Sequence, residues 1–277
     1  MITTNKIYAF TFVVLFASLG AVEPGEVTPQ TSIEGDKALQ ERVAHFKQLS
    51  QEEKNAFAAD EAELGNASVV RSLIAAGANP DCVLISAAWH GRQNIVELAL
   101  DKGAHVDATI NGALTPEYFG FFTPLIYASL NGHTNVVKTL IEHHANAHCF
   151  WAISYAAGRG HAEIVKLLID AKNPYLNDAL IAAAASGKTD VVKLLLDAQA
   201  DPSYWNEGIN GSNALIDAAK EGHSEVVKLL LDTGKMHSCY IADALKWAHF
   251  NAQASADCPT ENGNTEIINL LKAAGAQ

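Results

Sequence analysis

The sequence predicts an all-α solenoid of short, stacked helix pairs, and three observations carry that prediction. The first is periodicity. Aligning Gly65, Gly91, Gly132, Gly160, Gly187, Gly222 and Gly263 brings similar text into register after each one, at a mean spacing of 33 residues. The second is the apolar pattern after each glycine. Val136, Val137, Leu140 and Ile141 recur with helical period, as do Val191, Val192, Leu195 and Leu196, giving a stripe along one side. The third is alanine, 46 of 277 residues, which concentrates ahead of the glycines in stretches such as AISYAAGR and ALIAAAAS. Small side chains there let neighbouring helices approach closely. One such pair cannot bury its stripe alone, so stacking is obligatory.

Composition sets the bounds. Hydrophobic residues make up 49% and charged residues 18%, enough apolar surface for a core and too much for a disordered chain. The net charge of −12 argues against nucleic acid as a partner.

The elements follow in chain order. Met1 to Lys6 carries one positive charge, Ile7 to Leu19 runs uncharged, and small residues follow at Ser18, Gly20 and Ala21. That is the anatomy of a secretory signal peptide spanning residues 1–21, cleaved after Gly20 or Ala21. The alternative is an uncleaved segment that anchors the chain in a membrane through residues 7–19, although that run is short for a span. Residues 22–34 read as a polar, proline-bearing tether. Residues 35–53 read as an N-terminal capping helix, with Leu39, Val43 and Phe46 on one face and Ser50 to Glu53 forming a capping box that opens the next helix. The solenoid then occupies 54–277. In its second helices, Ser68, Thr134, Thr189, Ser224 and Thr265 are expected to be N-caps. Lys138/Glu142, Lys166/Asp170, Lys193/Asp197 and Lys228/Asp232 should pair at i, i+4. In the last unit a long insertion, Phe250 to Asn262, stands where the tight turn should be.

These units resemble the ankyrin repeat, whose consensus is close to G-x-T-P-L-H-x-A-A-x-x-G-H-x-E-V-V-x-L-L-L-x-x-G-A-D. The best match runs from Thr123-Pro124-Leu125 through Gly132-His133 to Val136-Val137, with Gly222-His223 to Leu231 close behind. The resemblance covers roughly residues 55–277. It implies a binding scaffold, with partners taken on the concave side and with His133, His161 and His223 hydrogen-bonding between repeats. TPLH survives only as TPLI, and the connections Gly77 to Leu84, Ala145 to Ile153 and Lys172 to Leu180 are too short for the usual β-hairpin finger. The expected fold is therefore an ankyrin-type helical solenoid with mostly truncated fingers.

Several motifs invite chemistry. Ala182 to Thr189 satisfies a relaxed Walker A pattern, but Gly187-Lys188-Thr189 sits at the inter-helix turn of the fifth repeat, where no strand precedes it. His143, His144, His148 and Cys149 have the residue types of a zinc site. In repeat phase, however, His144 stands where Gly77 and Gly103 stand, at a helix C-terminus. No nucleophile or carboxylate recurs at a fixed offset beside the turn histidines. No catalytic, cofactor or metal site is assigned.

The function expected from the sequence is non-catalytic protein recognition by an exported, secreted or periplasmic monomer. The candidate contacts are first-helix ends Trp89, His90, Leu130, Asn131, Arg159 and Lys220, with Tyr118, Phe119, Tyr204 and Trp205 in the long connections. Those loop aromatics either cover the solenoid or anchor a partner. If the chain is exported, Cys239 and Cys258 are the pair able to staple the last unit. Asn66-Ala67-Ser68 and Asn210-Gly211-Ser212 match the glycosylation sequon.

Overall fold

The computed structural model describes residues 43–44, 46–109, 122–207, 211–254 and 262–275. The signal segment, the tether and most of the capping stretch lie outside the described residues. The chain divides after His45. Of the first part only Val43 and Ala44 are described, and both are helical; the second part is the solenoid.

Fourteen helices are described, and they pair as seven repeats. The first five pairs are α1 (Gln51–Leu64) with α2 (Ala67–Ala75), α3 (Pro80–Trp89) with α4 (Gln93–Asp101), α5 (Pro124–Asn131) with α6 (Thr134–Glu142), α7 (Phe150–Arg159) with α8 (Ala162–Asp170), and α9 (Leu176–Ala185) with α10 (Thr189–Asp197). They are followed by α11 (Ala214–Lys220) with α12 (Ser224–Asp232) and α13 (Ser238–Ala254) with α14 (Asn262–Ala273). First helices pack on first helices and second on second, in two layers. Ala87, Ala88, Ala156, Ala157, Ala183, Ala184, Ala218 and Ala219 are fully buried in the first layer, as the alanine pattern requires. Ser50 caps α1 with the expected box: its hydroxyl accepts from the Glu53 N–H while the Glu53 carboxylate accepts from the Ser50 N–H. Phe46 is buried against Phe57 at the same end.

The turn glycines do two things. Gly132, at φ +79°, ends α5 in the left-handed region, and the next N–H, that of His133, reaches back to the Ala128 carbonyl at 2.9 Å. This closes a Schellman motif. The same bond recurs at Arg92, His161, Lys188 and His223. A Cβ on Gly132 would also lie 2.6 Å from the His161 ring of the next repeat, so glycine makes room for that ring as well. The histidines bond as the resemblance implies. Nε2 of His133 meets the Trp89 carbonyl at 2.9 Å, His161 meets Leu130 at 3.3 Å, and His223 meets Ala185 at 3.1 Å. Arg92 substitutes for histidine in the second repeat, its Nε donating to the Glu63 carbonyl at 2.9 Å.

Three expectations need correction. Thr134, Thr189 and Ser224 are first helical residues and not N-caps; the cap positions are His133, Lys188 and His223, with no side-chain cap bond. Likewise Ser68 and Thr265 lie inside α2 and α14. At His133 and Lys188 the backbone itself does the capping. Those residues adopt φ near −85° and ψ near +72°, and the following N–H bonds the turn glycine's carbonyl at 3.0 Å. This is an inverse γ-turn, which occupies a donor that a side chain would otherwise serve. Of the four Lys-first pairs, only Lys138–Glu142 closes within 4.0 Å among the described residues, and both side chains are exposed; solvent screening and side-chain entropy leave such pairs little to gain. Finally, α3, α7 and α9 begin a turn earlier than the connection bounds suggest, at Pro80, Phe150 and Leu176.

No strand is described. Asn206 and Ser212 form one isolated bridge in the sixth connection, the remnant of a finger. Elsewhere side chains join successive connections. The His105 N–H donates to Asp81 at 2.7 Å, the Asn146 N–H to Asp107 at 3.1 Å, and the Asp201 N–H to Asn177 at 2.7 Å. Buried Asn173 donates to the Ala147 and Cys149 carbonyls. His144 lies at φ +66°, with Lys172 and Gln199 at the same position in later repeats, which accounts for it as the end of a helix. Among the described residues no helix is long and apolar enough to cross a membrane.

Candidate interaction face

Apart from α13, the residues nine, five and one before the turn glycine of each first helix line up along one side of it. In α7 these are Trp151, Tyr155 and Arg159, spaced i, i+4, i+8 and therefore aligned. Trp151 is 48% exposed, Tyr155 is half-buried and Arg159 is exposed. The stripe carries Ser86 and His90 on α3, and Tyr127 and Asn131 on α5. It continues with Asp178 on α9 and with Asp217 and Glu221 on α11, and α1 contributes Asp60.

Aromatic rings run across this stripe from the second repeat to the fifth. Trp89 packs edge-on against Tyr127 with centroids 5.0 Å apart, and Tyr127 meets Phe122 at 5.6 Å. Phe122 meets Tyr155 at 5.6 Å, and Tyr155 stacks on Trp151 at 5.6 Å. Trp151 then contacts Phe150 at 4.9 Å, which meets Tyr175 at 5.6 Å. Tyr127 and Phe122 are buried beneath, while Trp89, Trp151 and Tyr175 stay open to solvent. A second cluster lies in the sixth and seventh repeats. Trp205 stacks flat on Tyr240 at 5.6 Å, and Trp247 packs on Phe250 with the Lys220 ammonium 5.4 Å above its ring.

Three acids of this face, exposed Asp60 and half-buried Asp178 and Asp217, are held above their ordinary values. Burial pushes the Asp60 carboxyl above its ordinary value, and Glu63 and Glu61 add to the effect. Burial also raises Asp178, against hydrogen bonds from the Asn206 amide and from its own backbone. Burial raises Asp217 in turn, with Ser212 and Lys220 opposing and Glu221 assisting. The negative charge of Asp178, with lesser contributions from burial and Glu207, holds the Tyr204 phenol up.

The residues singled out in the sequence are dispersed along this face. Trp89 gives its carbonyl to both His133 and Asn131, so the Asn131 side chain is spent on a repeat joint. The His90 ring bonds the Ser86 carbonyl and lies 3.6 Å from Glu63. Leu130 is half-buried. Trp205 lies over α13, and Gly211 is close beneath its ring. Tyr118, Phe119 and Cys258 fall outside the described residues; Cys239 is an exposed thiol at the start of α13. Phe150, Trp151, Tyr155 and Tyr175 were missed in the sequence reading. The signal was the FWAISY run itself, but starting that helix at Ala152 left its two largest rings in a loop.

Comparison with known proteins agrees with this architecture. Residues 56–150, 150–204 and 180–277 match a family model described as ankyrin repeats (3 copies). The chain is also similar to the crystal structure of the human ASB11 ankyrin repeat domain, with a TM-score of 0.60 and 24% identity over 79% of this chain and 98% of that one. That likeness speaks to the fold alone. No curated protein matches the chain.

Proposed function

The chain belongs to the ankyrin-repeat family, and from that premise we propose that it is a non-catalytic, exported monomer that recognises a partner protein through the concave, first-helix face of its solenoid. The observation that carries the reading is the continuous row of rings from Trp89 to Tyr175. Such rings dominate the energetics of protein interfaces, and burying three half-open ones here would be a large apolar gain. The titratable groups of the face argue the same way. They lie in separate groups along the face, His90 with Glu63 and Asp178 with Tyr204, and an enzyme needs acid, base and nucleophile converging on a single atom.

The test is alanine substitution at Trp89, Leu130, Trp151 and Trp205 against a partner recovered from the compartment that holds the mature chain. Each of the tryptophan changes is expected to weaken binding at least tenfold. If all four bind like the parent while Lys166→Ala or Lys193→Ala on the second-helix side abolishes binding, the face is wrong. Export rests on the Ile7–Leu19 run and the small residues after it; an intact mass lacking residues 1–21 is the expected result. A full-length mass in the membrane fraction would favour the alternative, a tethered envelope-associated array. In an oxidising compartment Cys239 and Cys258 are proposed to pair, which thiol titration of the mature protein would read as the loss of two thiols.

A further inference from the structure

The seven repeats meet at six joints, and one of these is fastened differently from the rest. At four joints the turn side chain, Arg92, His133, His161 or His223, bonds a carbonyl of the preceding repeat, that of Glu63, Trp89, Leu130 or Ala185. At the last joint the side-chain amide of Asn251, on α13, donates to the Lys220 carbonyl. The joint between the fourth and fifth repeats has no such bond. Lys188 holds the turn position there with the backbone conformation of His133, φ near −85° and ψ near +72°. Its stem fills the space that a ring fills elsewhere, with Cδ 3.1 Å from where a Cβ on Gly160 would lie. Among the described residues its ammonium makes no hydrogen bond or ion pair, and no side chain donates to the Gly158 carbonyl, the equivalent acceptor.

The acceptor residue is unusual as well. Glu63, Trp89, Leu130, Ala185 and Lys220 stand at this place in the other joints, and only here is it glycine. Packing does not demand one: a Cβ on Gly158 would meet the Ala182 carbonyl and the Ser186 hydroxyl at 3.6 Å, ordinary contact distances. A helical glycine that no neighbour requires leaves the last turn of α7 freer than the other first-helix ends. The opposite edge of the same joint is tied down. Buried Asn173 crosses it, donating to the Ala147 carbonyl at 2.6 Å and the Cys149 carbonyl at 3.1 Å, while its Oδ1 accepts from the Tyr175 N–H at 2.9 Å. Pro174 restricts the backbone between them, and the Phe150 and Tyr175 rings meet across the same edge at 5.6 Å.

We propose that the joint between the fourth and fifth repeats is a hinge, with its pin at Asn173 and its free edge at Gly158 and Lys188. Repeats one to four and five to seven swing about it as two bodies. Between pin and edge the buried contact is made by Ala156, Ala157, Ala183 and Ala184, which have nothing beyond Cβ to interlock, so α7 and α9 tilt on each other without parting. Phe150 and Tyr175 lie beside the pin and stay together. Arg159 and Ser186 lie at the free edge and separate. The solenoid therefore changes curvature at one place, whatever its concave face binds.

The experiment is pulsed electron paramagnetic resonance on the full chain, with spin labels carried by an unnatural amino acid so that the native cysteines are untouched. Labels at Lys166 and Lys228 span the hinge, and labels at Arg71 and Lys138 span the first two joints as a control. All four side chains are exposed and hold the same repeat position, and each pair is two repeat steps apart, about 16–20 Å. The Lys166–Lys228 distance distribution is expected to be about twofold wider than the control, and Lys188→His, which brings a donor to the Gly158 carbonyl, should narrow it to the control width. Gly158→Ala should narrow it in part, and neither change should move the control pair. Equal widths in the parent would overturn the hinge. A wide distribution that Lys188→His leaves unchanged would overturn it too, because the missing bond would then not be what frees the edge.

Discussion

Replacing Gly132 by alanine tests the repeat joint directly. Two costs add there. Gly132 lies at φ +79°, and a side chain in the left-handed region costs about 1–2 kcal/mol. The new Cβ would also lie 2.6 Å from Cε1 and 2.9 Å from Nδ1 of His161, whose ring cannot retreat without surrendering its 3.3 Å bond to the Leu130 carbonyl. Displacing that ring costs about 1 kcal/mol for the hydrogen bond and about 1–3 kcal/mol for overpacking. Gly103 is the control. Its φ of +87° is nearly the same, but nothing lies within 4 Å of its added Cβ, so Gly103→Ala should cost about 1–2 kcal/mol and Gly132→Ala about 3–6 kcal/mol. His144, Lys172 and Gln199 already occupy positions equivalent to Gly103 with side chains attached, which shows that the strain alone is tolerable. Urea unfolding followed by far-UV circular dichroism reads the difference in midpoint. Adding His161→Ala to Gly132→Ala removes the clash, so the double-mutant cycle should show a favourable coupling of about 1–3 kcal/mol. Equal costs at Gly103 and Gly132, or zero coupling, would refute the account of the joint.

Other perturbations follow from the same packing. Ala183 is fully buried in α9 between α7 and α11, and Ala183→Leu should cost about 1–3 kcal/mol in the same urea assay. Phe46→Ala opens the first repeat by about 3 kcal/mol, seen as faster amide exchange in α1 with α9 unaffected. Asn213 caps α11 through its carbonyl, while its fully buried amide nitrogen has no partner among the described residues; Asn213→Thr keeps the cap and removes the orphan, so its melt should lie within about 0.5 kcal/mol of the parent, whereas Asn213→Ala loses about 1 kcal/mol. Asp217 holds its proton more tightly folded than unfolded. Its contribution is therefore complete below the ordinary carboxylate value and is lost as pH rises through the raised folded one, so Asp217→Asn should gain stability relative to the parent as pH rises from about 4 to about 7.

The repeat phase was legible because glycine is required at a left-handed turn, and six of the seven aligned glycines occupy one; Gly263 lies inside α14 instead and marks no turn. The alanines and the Val-Val-x-x-Leu stripes then placed the two layers. Cap positions were less legible. A threonine one residue after the turn histidine looks like an N-cap when only composition is weighed, but an inverse γ-turn at His133 starts the helix one residue earlier, at Thr134. The candidate face was half legible. Trp89 stood out because it directly precedes a turn. Trp151 did not, since Cys149 caps α7 with no side-chain bond and supplies no sequence mark for its beginning. The carboxylates Asp60, Asp178 and Asp217 were invisible for a different reason: nothing in their local text shows that three distant acids share one stripe.

In the joints between repeats, the turn side chains of the second, third, fourth and sixth repeats all take a main-chain carbonyl two residues before the preceding turn glycine. The residues that offer those carbonyls are Glu63, Trp89, Leu130 and Ala185, four side chains with nothing in common. Structural cohesion and surface chemistry thus occupy one position without sharing an atom. Substitution can change the side chain displayed there, from acid to indole to methyl, without touching the carbonyl that couples one module to the next.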